Sequence, residues 1–171
     1  MKFFFSLLIF FFLFIGSSLA DESIRFININ YIVNNSDAGV SLNKIIKNKT
    51  KKIESDLKDL AKKIEEKKNK IVSQKNIIKK EEFNKLVKDY EKEVEIFNKL
   101  RNKKQADFDS FRVESKKKIL DLLNPIITDF LQSNSIKILL QKEKIIFGDD
   151  NLDITEKILK IFNDKHKKIK F

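Results

Sequence analysis

The sequence predicts an α+β fold, mainly α, in which a long helical-hairpin (coiled-coil) arm projects from a small β body. Strand-like segments lie near both ends of the chain, and residues 41–124 between them contain neither glycine nor proline. Two apolar stripes with coiled-coil spacing run along this middle segment, where Lys, Glu and Leu dominate. We therefore expect one arm between two end segments, which must meet for their strands to pair.

The first twenty residues match a secretory signal peptide, with a positive Lys2, an apolar run over residues 3–15 and the small-residue sequence GSSLA. The apolar run is shorter than the ~20 residues that a helix needs to cross a bilayer, so we expect cleavage after Ala20 and not a retained membrane anchor. The chain contains no cysteine. Because disulfides cannot compensate for a thin core, self-association is the expected source of stability.

Three short strands are predicted. β-Branched and aromatic residues favour a strand from about Ile24 to Ile29, followed by a short turn, while SIKILLQ and KIIFG favour two more, separated by a turn over residues 142–144. Downstream, LDITEKILKIF predicts a helix capped by Asp153, with Glu156 completing a capping box. Such a body is too small to be stable alone and has open strand edges. The apolar residues expected where it associates with its own copies are Ile24, Phe26, Ile29, Ile138, Leu140 and Ile146.

Two apolar seams predict the arm, residues 44–124. The first seam consists of Ile53, Leu57, Leu60, Ile64 and Ile71, with Lys67 at the position between the last two. The second consists of Phe83, Leu86, Tyr90, Val94, Phe97, Leu100, Phe108 and Phe111. The phase slips between them, which favours a fold-back with its tip at residues 74–81 over one continuous helix of about 80 residues. Pro125 is expected to end the arm, because its ring removes a backbone donor and crowds the preceding turn. Residues 21–43 and 125–171 would then form the body.

Positive charge is concentrated in the arm. Residues 44–124 contain 25 basic and 15 acidic side chains, a net charge of +10, whereas the charges of the two end segments cancel. Such a field attracts acidic or phosphate-bearing partners and weakens with salt. Imperfect seams would also leave scattered apolar side chains exposed, which suits weak multivalent contact with an extended chain. The binding candidates on the arm are Lys67, Lys68, Lys70, Ile71, Ile78, Lys79, Lys80, Phe83, Val87 and Phe97.

The sequence contains no constellation typical of an enzyme. His166, the only histidine, has neither a neighbouring nucleophile nor metal-ligand spacing, so we expect a surface position. No phosphate-binding glycine loop is present. Asp149, Asp150 and Asp153 lack the ligand spacing of a calcium loop and favour a turn and a helix cap. We therefore predict a protein that is not an enzyme and that uses no metal and no cofactor.

Three segments carry a family resemblance: IRFININYIVNNSDAGVSLNK, LLNPI and SIKILLQKEKIIFGDDNLDITEKILKIFN, the last with a D-x-T pattern at Asp153 and Thr155. They are similar to the opening strand and arm entry, the return to the body, and the closing hairpin and terminal helix of the Skp/OmpH family of periplasmic chaperones. These segments cover about half of the mature chain. The arm resembles the family only in length, charge and helical pattern.

The resemblance implies a jellyfish-like homotrimer in the periplasm, with strands of three chains forming the β body and three arms enclosing a cavity. It further implies an ATP-independent holdase that prevents aggregation of unfolded outer-membrane β-barrel proteins. Contact with anionic lipid or lipopolysaccharide is also suggested, without a residue-level site.

Two other functions fit parts of the sequence. A structural coiled-coil spacer of the cell envelope would use the long arm, but it would need an anchor, and neither a lipidation cysteine nor a retained membrane helix is predicted. A nucleic-acid-binding protein would use the basic charge. However, the sequence contains only three arginines, Arg25, Arg101 and Arg112, and arginine makes the commonest specific contacts to base edges. Together with the export signal, this means that nucleic acid is not an expected partner.

Overall fold

The computed structural model describes residues 24–171, and the predicted leader with its cleavage site lies outside this range. The elements in chain order are β1 (Ile24–Ile27), α1 (Ile29–Asn35), α2 (Asp37–Gln74), α3 (Lys80–Ser133), β2 (Ile138–Gln141) and α4 (Thr155–Lys165). Two 3-10 turns, Lys142–Lys144 and Asp150–Leu152, lie between β2 and α4. The predicted fold, mainly helical with a long hairpin and a small strand pair, is confirmed.

The hairpin is formed by α2, with 38 residues, and α3, with 54 residues. At 1.5 Å per residue these helices are about 57 Å and about 81 Å long. Residues 75–79 form the turn between them, so the alternative of one continuous helix is wrong. α2 begins at Asp37, earlier than the predicted residue 44, because the Ser36 side chain caps it by accepting a hydrogen bond from the Gly39 N–H at 3.1 Å.

The prediction that Pro125 ends the arm is wrong, because α3 continues through this residue to Ser133. A proline in a helix interior costs about 3 kcal/mol. The residues that follow it, Ile126 and Ile127, are only 4% and 8% exposed. Burial of such side chains stabilises the fold by about 1.5–3 kcal/mol each. Packing of the last turns of α3 therefore offsets the local penalty.

The strands β1 and β2 form a parallel pair in which Ile24 lies opposite Ile138. Parallel neighbours require a long crossover connection, and here the crossover includes the whole hairpin. On its other side, β1 forms an isolated bridge between Phe26 and Asp153, and the Phe26 carbonyl accepts a hydrogen bond from the Ile154 N–H at 3.0 Å. Both edges of β1 are therefore occupied, whereas β2 pairs with no other strand within residues 24–171.

Two strand predictions are corrected by the structure. Ile29 begins α1 instead of ending β1, because the Asn28 side chain accepts a hydrogen bond from the Tyr31 N–H at 2.7 Å and caps this helix. The KIIFG segment forms no strand, and residues 145–149 contain only bends and irregular backbone. Both edges of β1 are occupied, and the 3-10 turn Lys142–Lys144 follows β2 where a hairpin would need a tight turn. Ile146, one of the predicted interface residues, is consequently fully exposed in the single chain.

The predicted capping box at the start of α4 does not form. The helix begins at Thr155, whose N–H donates to Asp153 Oδ1 at 2.8 Å. The Asp153 N–H donates to the Asp150 carbonyl and is therefore not available to Glu156. The Glu156 carboxylate instead forms a hydrogen bond with Tyr31, which raises the pKa of that phenol. Asp153 thus still orders the helix start, while Glu156 links α4 to α1.

The core lies at the base of the hairpin, where α1, the start of α2, the end of α3 and α4 meet. Its buried apolar side chains are Ile27, Ile32, Val33, Ala38, Leu42, Ile119, Leu123, Ile126, Ile127, Ile154, Ile158 and Phe162. Most of these belong to helices, so the end segments contain more helix than the sequence indicated. The division of the chain into an arm and a trimerisation body stays a prediction.

Candidate binding surface of the helical hairpin

Two ion pairs cross the seam between α2 and α3. Lys67 Nζ lies 2.5 Å from Glu93 Oε1, and Lys104 Nζ lies 3.1 Å from Asp56 Oδ2. The two partners on α2 are eleven residues apart, as are the two on α3, so both pairs belong to one antiparallel register. All four side chains are between about a third and a half exposed. Such pairs add little stability, but they fix which residues of α2 and α3 face each other at two polar positions of the seam.

The seam is open along one side of the hairpin and forms three compartments, which we call the hairpin groove. The basal compartment, about 240 Å³, contains Ile53, Phe108 and Phe111. The middle compartment, about 260 Å³, contains Leu60, Ile64, Ile96, Phe97 and Leu100. The distal compartment, about 630 Å³, contains Ile71 and Leu86. The Asp56–Lys104 pair lies between the basal and middle compartments, and the Lys67–Glu93 pair lies between the middle and distal ones.

The three compartments lie in a line. Lys63 lines both the middle and the distal compartments. On α3, residues at spacings of three, four and seven share one helix face, and the groove residues follow this rule: Glu82, Leu86, Glu93, Phe97, Leu100, Lys104, Phe108 and Phe111. A fourth cavity, about 490 Å³, lies on another side of α3, near Asp109, Arg112, Val113 and Lys116. The groove is therefore a continuous feature of one side of the arm.

The structure brings some of the predicted arm residues together and disperses the others. Lys67, Lys70 and Ile71 line the distal compartment, and Phe97 lines the middle one. Ile71 is only 7% exposed, so its side chain is part of the seam. The other candidates lie around the tip and along the arm, with Lys68, Lys79 and Lys80 exposed and Ile78, Phe83 and Val87 half-buried.

Sequence reasoning missed several groove residues. Asp56 and Glu93, the partners of the seam lysines, were not candidates, and neither were Lys63 and Ile96, although Ile96 is 64% exposed beside the middle compartment. A lysine at an apolar seam position does indicate a facing carboxylate. Counting outward from the predicted tip at residues 74–81 would not have found Glu93, because it places Lys67 opposite Lys88.

The predicted interface residues of the body divide into two groups. Phe26 is buried within the chain, and Ile29 is half-buried against the core. Ile24, Ile138, Leu140 and Ile146 are exposed, and Phe147, which was not a candidate, is 93% exposed. The strand pair and the segment after it therefore present a cluster of apolar side chains to solvent.

An ion pair connects the turn after β2 to the start of α4. Lys142 Nζ lies 2.5 Å from Asp153 Oδ2 and 5.8 Å from the centre of the Phe26 ring. Burial alone would raise the pKa of Asp153, but hydrogen bonds from Lys142 and Thr155 and the lysine charge together lower it below its usual value. The hydrogen bond and the charge of Asp153 in turn raise the pKa of Lys142. Both groups are therefore held in their charged forms.

No candidate metal site is visible in the described part of the chain. His166 is half-buried at the end of α4, with its ring centre 5.2 Å from that of Phe162. Across residues 24–171, no group of three or more His, Cys, Asp or Glu side chains is placed to hold a metal ion. Among the helices of this range, none has the length and apolarity needed to cross a membrane.

Comparison with known proteins identifies the family. The model of a family described as outer membrane protein (OmpH-like) matches residues 23–162, which is most of the chain. The chain belongs to the OmpH-like family. Among solved structures, this OmpH-like chain is similar to a candidate OmpH-like outer membrane chaperone from Caulobacter crescentus CB15, with a TM-score of 0.81 and 14% identity over 91% of each chain. At this identity the likeness concerns the fold. The comparison with curated proteins gave no significant match.

Proposed function

We propose that this chain is an ATP-independent periplasmic holdase that binds unfolded outer-membrane proteins between basic helical arms and prevents their aggregation. The observation that carries the proposal is the hairpin groove, an open row of apolar compartments bordered by charged side chains on a projecting arm. Such a surface suits an extended, partly apolar polypeptide better than a compact ligand. The similar fold of a candidate outer membrane chaperone supports the same function.

The working unit in this proposal is a homotrimer. β2 offers a free strand edge, and the exposed Ile138, Leu140, Ile146 and Phe147 lie on or directly after it. Unpaired strand edges and clustered apolar side chains favour association with another chain. Three copies joined through this region would hold three arms around a shared cavity. The KIIFG segment, which pairs with no strand of its own chain, would then be able to pair with a neighbouring subunit.

The charge of the arm gives the proposal an electrostatic component. Residues 44–124 contain 25 basic and 15 acidic side chains, and the resulting positive charge attracts acidic chain segments at long range. The same charge supports a second partner class, anionic lipid or lipopolysaccharide, at the membrane surface. Reversal of Lys68, Lys79 and Lys80 to Glu should weaken binding of the unfolded protein and leave the oligomer intact, because these exposed lysines lie far from the body core. Unchanged affinity would refute this component.

The main test is light scattering coupled to size exclusion on residues 21–171, with and without a urea-unfolded outer-membrane β-barrel added by dilution. We expect a trimer that keeps the barrel protein soluble in a discrete complex without ATP. A monomer would refute the self-association step. A trimer that allows the barrel protein to aggregate would refute the holdase step and favour a structural role for the arms in the cell envelope.

A further inference from the structure

A segment without helix or strand follows α4 and lies against the base of the hairpin. We call it the trailing segment, residues 166–171. Its Ile169 and Phe171 side chains pack against the buried core, and the Lys170 carbonyl between them accepts a hydrogen bond from Lys118 Nζ of α3 at 2.7 Å. The family match ends at residue 162, so the trailing segment lies outside the region matched to the family.

The base of the hairpin holds this segment as an extended chain. Exposure alternates along it, with Lys168 and Lys170 exposed and Ile169 and Phe171 half-buried. In an extended backbone every second side chain lies on the same face, so one face of the segment packs on the base and the other meets solvent. The surface beneath the segment, which we call the Lys118 site, therefore binds an extended chain through apolar side chains at positions i and i+2 and through the carbonyl at i+1.

The Lys118 site continues the hairpin groove toward the body. Phe111 lines the basal compartment, and Ser115 and Lys118 follow it at spacings of four and three residues. Residues with this spacing share one face of a helix. Lys118 lies about 10.5 Å beyond Phe111 along α3 at 1.5 Å per residue. An extended chain in the basal compartment therefore reaches the Lys118 site with about three further residues.

The trailing segment is held weakly. In the described chain, its main-chain groups beyond the His166 N–H make one hydrogen bond, the one from Lys118. Neither Ile169 nor Phe171 is fully buried, and the conformational entropy lost on ordering six residues opposes the gain from this partial burial. A segment held in this way is readily displaced by a chain that binds the same surface better.

The trailing segment and its site carry charge of the same sign. The segment has three lysines in residues 167–170, and α3 has three consecutive lysines, Lys116–Lys118. Lys117 is paired with Asp121 at 2.7 Å, whereas Lys118 donates to a neutral carbonyl of the segment. Like charges this close repel one another, and the repulsion weakens with salt. A chain with neutral or acidic side chains in place of the lysines would bind the site without this repulsion.

We propose that the Lys118 site is a further client-binding site, and that the trailing segment covers it until an extended client segment takes its place. The favoured client segment has large apolar side chains at positions i and i+2 and neutral or acidic side chains beside them. Strands of outer-membrane β-barrels alternate apolar and polar residues in this way. The inference rests on the proposed function, which supplies the clients, and couples client binding at this site to release of the trailing segment.

Locking the trailing segment in place tests this coupling. The chain contains no cysteine, so the double variant Lys118→Cys/Lys170→Cys of residues 21–171 is bridged by a bismaleimide at these two positions alone. The matched control is the same variant with both thiols capped by N-ethylmaleimide. A bridge within one chain gives a product that migrates as a monomer in a denaturing gel. The affinity for a fluorescently labelled, urea-unfolded outer-membrane β-barrel is then measured by anisotropy after dilution.

The locked chain should bind the barrel protein about tenfold more weakly than the capped chain, because two half-buried apolar side chains of the client lose their site. The variant Ile169→Ser/Phe171→Ser, which releases the segment, should bind at least about threefold more tightly than the wild type, since the segment no longer competes. Equal affinity of the locked and capped chains, with the barrel protein kept soluble, would overturn the Lys118 site and leave the holdase proposal intact. Aggregation of the barrel protein with the wild-type chain would instead overturn the proposed function.

Three hexapeptides test the chemistry of the site without a client protein. HEEIEF has the sequence of the trailing segment with its lysines replaced by glutamate, HKKIKF keeps the lysines, and HEESES keeps the glutamates but lacks both apolar side chains. At low salt, HEEIEF should bind the Ile169→Ser/Phe171→Ser variant at least about threefold more tightly than either of the others. Its advantage over HKKIKF should disappear in 1 M salt. Equal binding of HEEIEF and HEESES would overturn the Lys118 site whether or not the holdase proposal holds.

Discussion

Gly39 is the position where one added methyl group should have the largest effect. It is the third residue of α2, and a Cβ built on it would lie 1.9 Å from the carbonyl oxygen of Val33 in α1. Real Cβ atoms do not approach other atoms closer than 3.0 Å, so Gly39→Ala must move the two helices apart by about 1 Å. The close crossing of α1 and α2 therefore depends on the absence of a side chain at this position.

The backbone that meets the new Cβ has little freedom to move. The Asn28 N–H, just before α1, donates to Thr155 Oγ1 at 2.9 Å, and the Asp37 N–H, just after it, donates to Asn163 Oδ1 at 3.0 Å. The residues that flank α1 on both sides are therefore hydrogen-bonded to side chains of α4. Overpacking of this kind costs about 1–3 kcal/mol and sometimes more, while the higher helix propensity of alanine returns about 1 kcal/mol. Because the 1.9 Å contact is with backbone, we take the upper end of this range, about 3 kcal/mol, and expect a net loss of about 2 kcal/mol in the free energy of unfolding.

Urea unfolding followed by far-UV circular dichroism measures this loss. All variants must be compared at one protein concentration, because self-association makes the midpoint depend on concentration. Gly148→Ala is the matched control, since its Cβ would lie 2.9 Å from Cε1 of the Phe26 side chain, which can move, and not from backbone. That control should lose less than about 1 kcal/mol. If Gly39→Ala were as stable as the control, the proposed role of the close helix crossing would be wrong.

Three further predictions concern proline, the seam and pH. Pro125→Ala should raise the free energy of unfolding by about 2 kcal/mol, because the helix penalty of proline, about 3 kcal/mol, exceeds its restriction of the unfolded chain, about 1 kcal/mol at most; urea unfolding checks this. A double-mutant cycle replacing Lys67 and Glu93 by Ala should give a coupling energy below about 1 kcal/mol that disappears in 1 M salt. The stability gained from the lowered pKa of Asp153 is present above the pKa of the unfolded carboxyl, about 3.9, and is lost as the pH falls through the still lower folded value. The difference in urea midpoint between the wild type and Asp153→Asn should therefore shrink between pH 7 and pH 3, whereas a constant difference would refute the role of the Lys142 ion pair.

The arm was predictable because its information is local. Heptad spacing, a phase slip and the absence of glycine and proline are all visible along the sequence, and they led to the hairpin. The partners across the seam were not visible, because they depend on where the two helices begin to face each other. The turn alone does not give the register, because counting outward from residues 75–79 would place Lys67 opposite Val87, whereas the structure pairs it with Glu93.

The body was less predictable because tertiary contacts override local preference there. Pro125 is a helix breaker by itself, yet the burial of Ile126 and Ile127 continues the helix. KIIFG has the composition of a strand, yet both edges of β1 are occupied within the chain, and a 3-10 turn at Lys142–Lys144 follows β2 where a hairpin would need a tight turn. Ile29 has the same strand preference, but the Asn28 cap starts a helix at that point. At Pro125 the deciding contacts come from residues distant in sequence, whereas at Ile29 the helix is started by the side chain of the preceding residue.

The distribution of burial explains how one chain can combine a stable base with an adaptable arm. Between residues 43 and 118, Ile71 is the single buried apolar side chain, whereas the core at the base of the hairpin contains twelve. The free energy of folding therefore resides mainly at the base, because buried apolar area is its largest favourable contribution. An apolar residue at Lys67 or Lys104 would close the seam and fill the gaps between compartments. The lysines instead keep the two helices in register through exposed ion pairs, which leaves the groove open without weakening the core on which the arm depends.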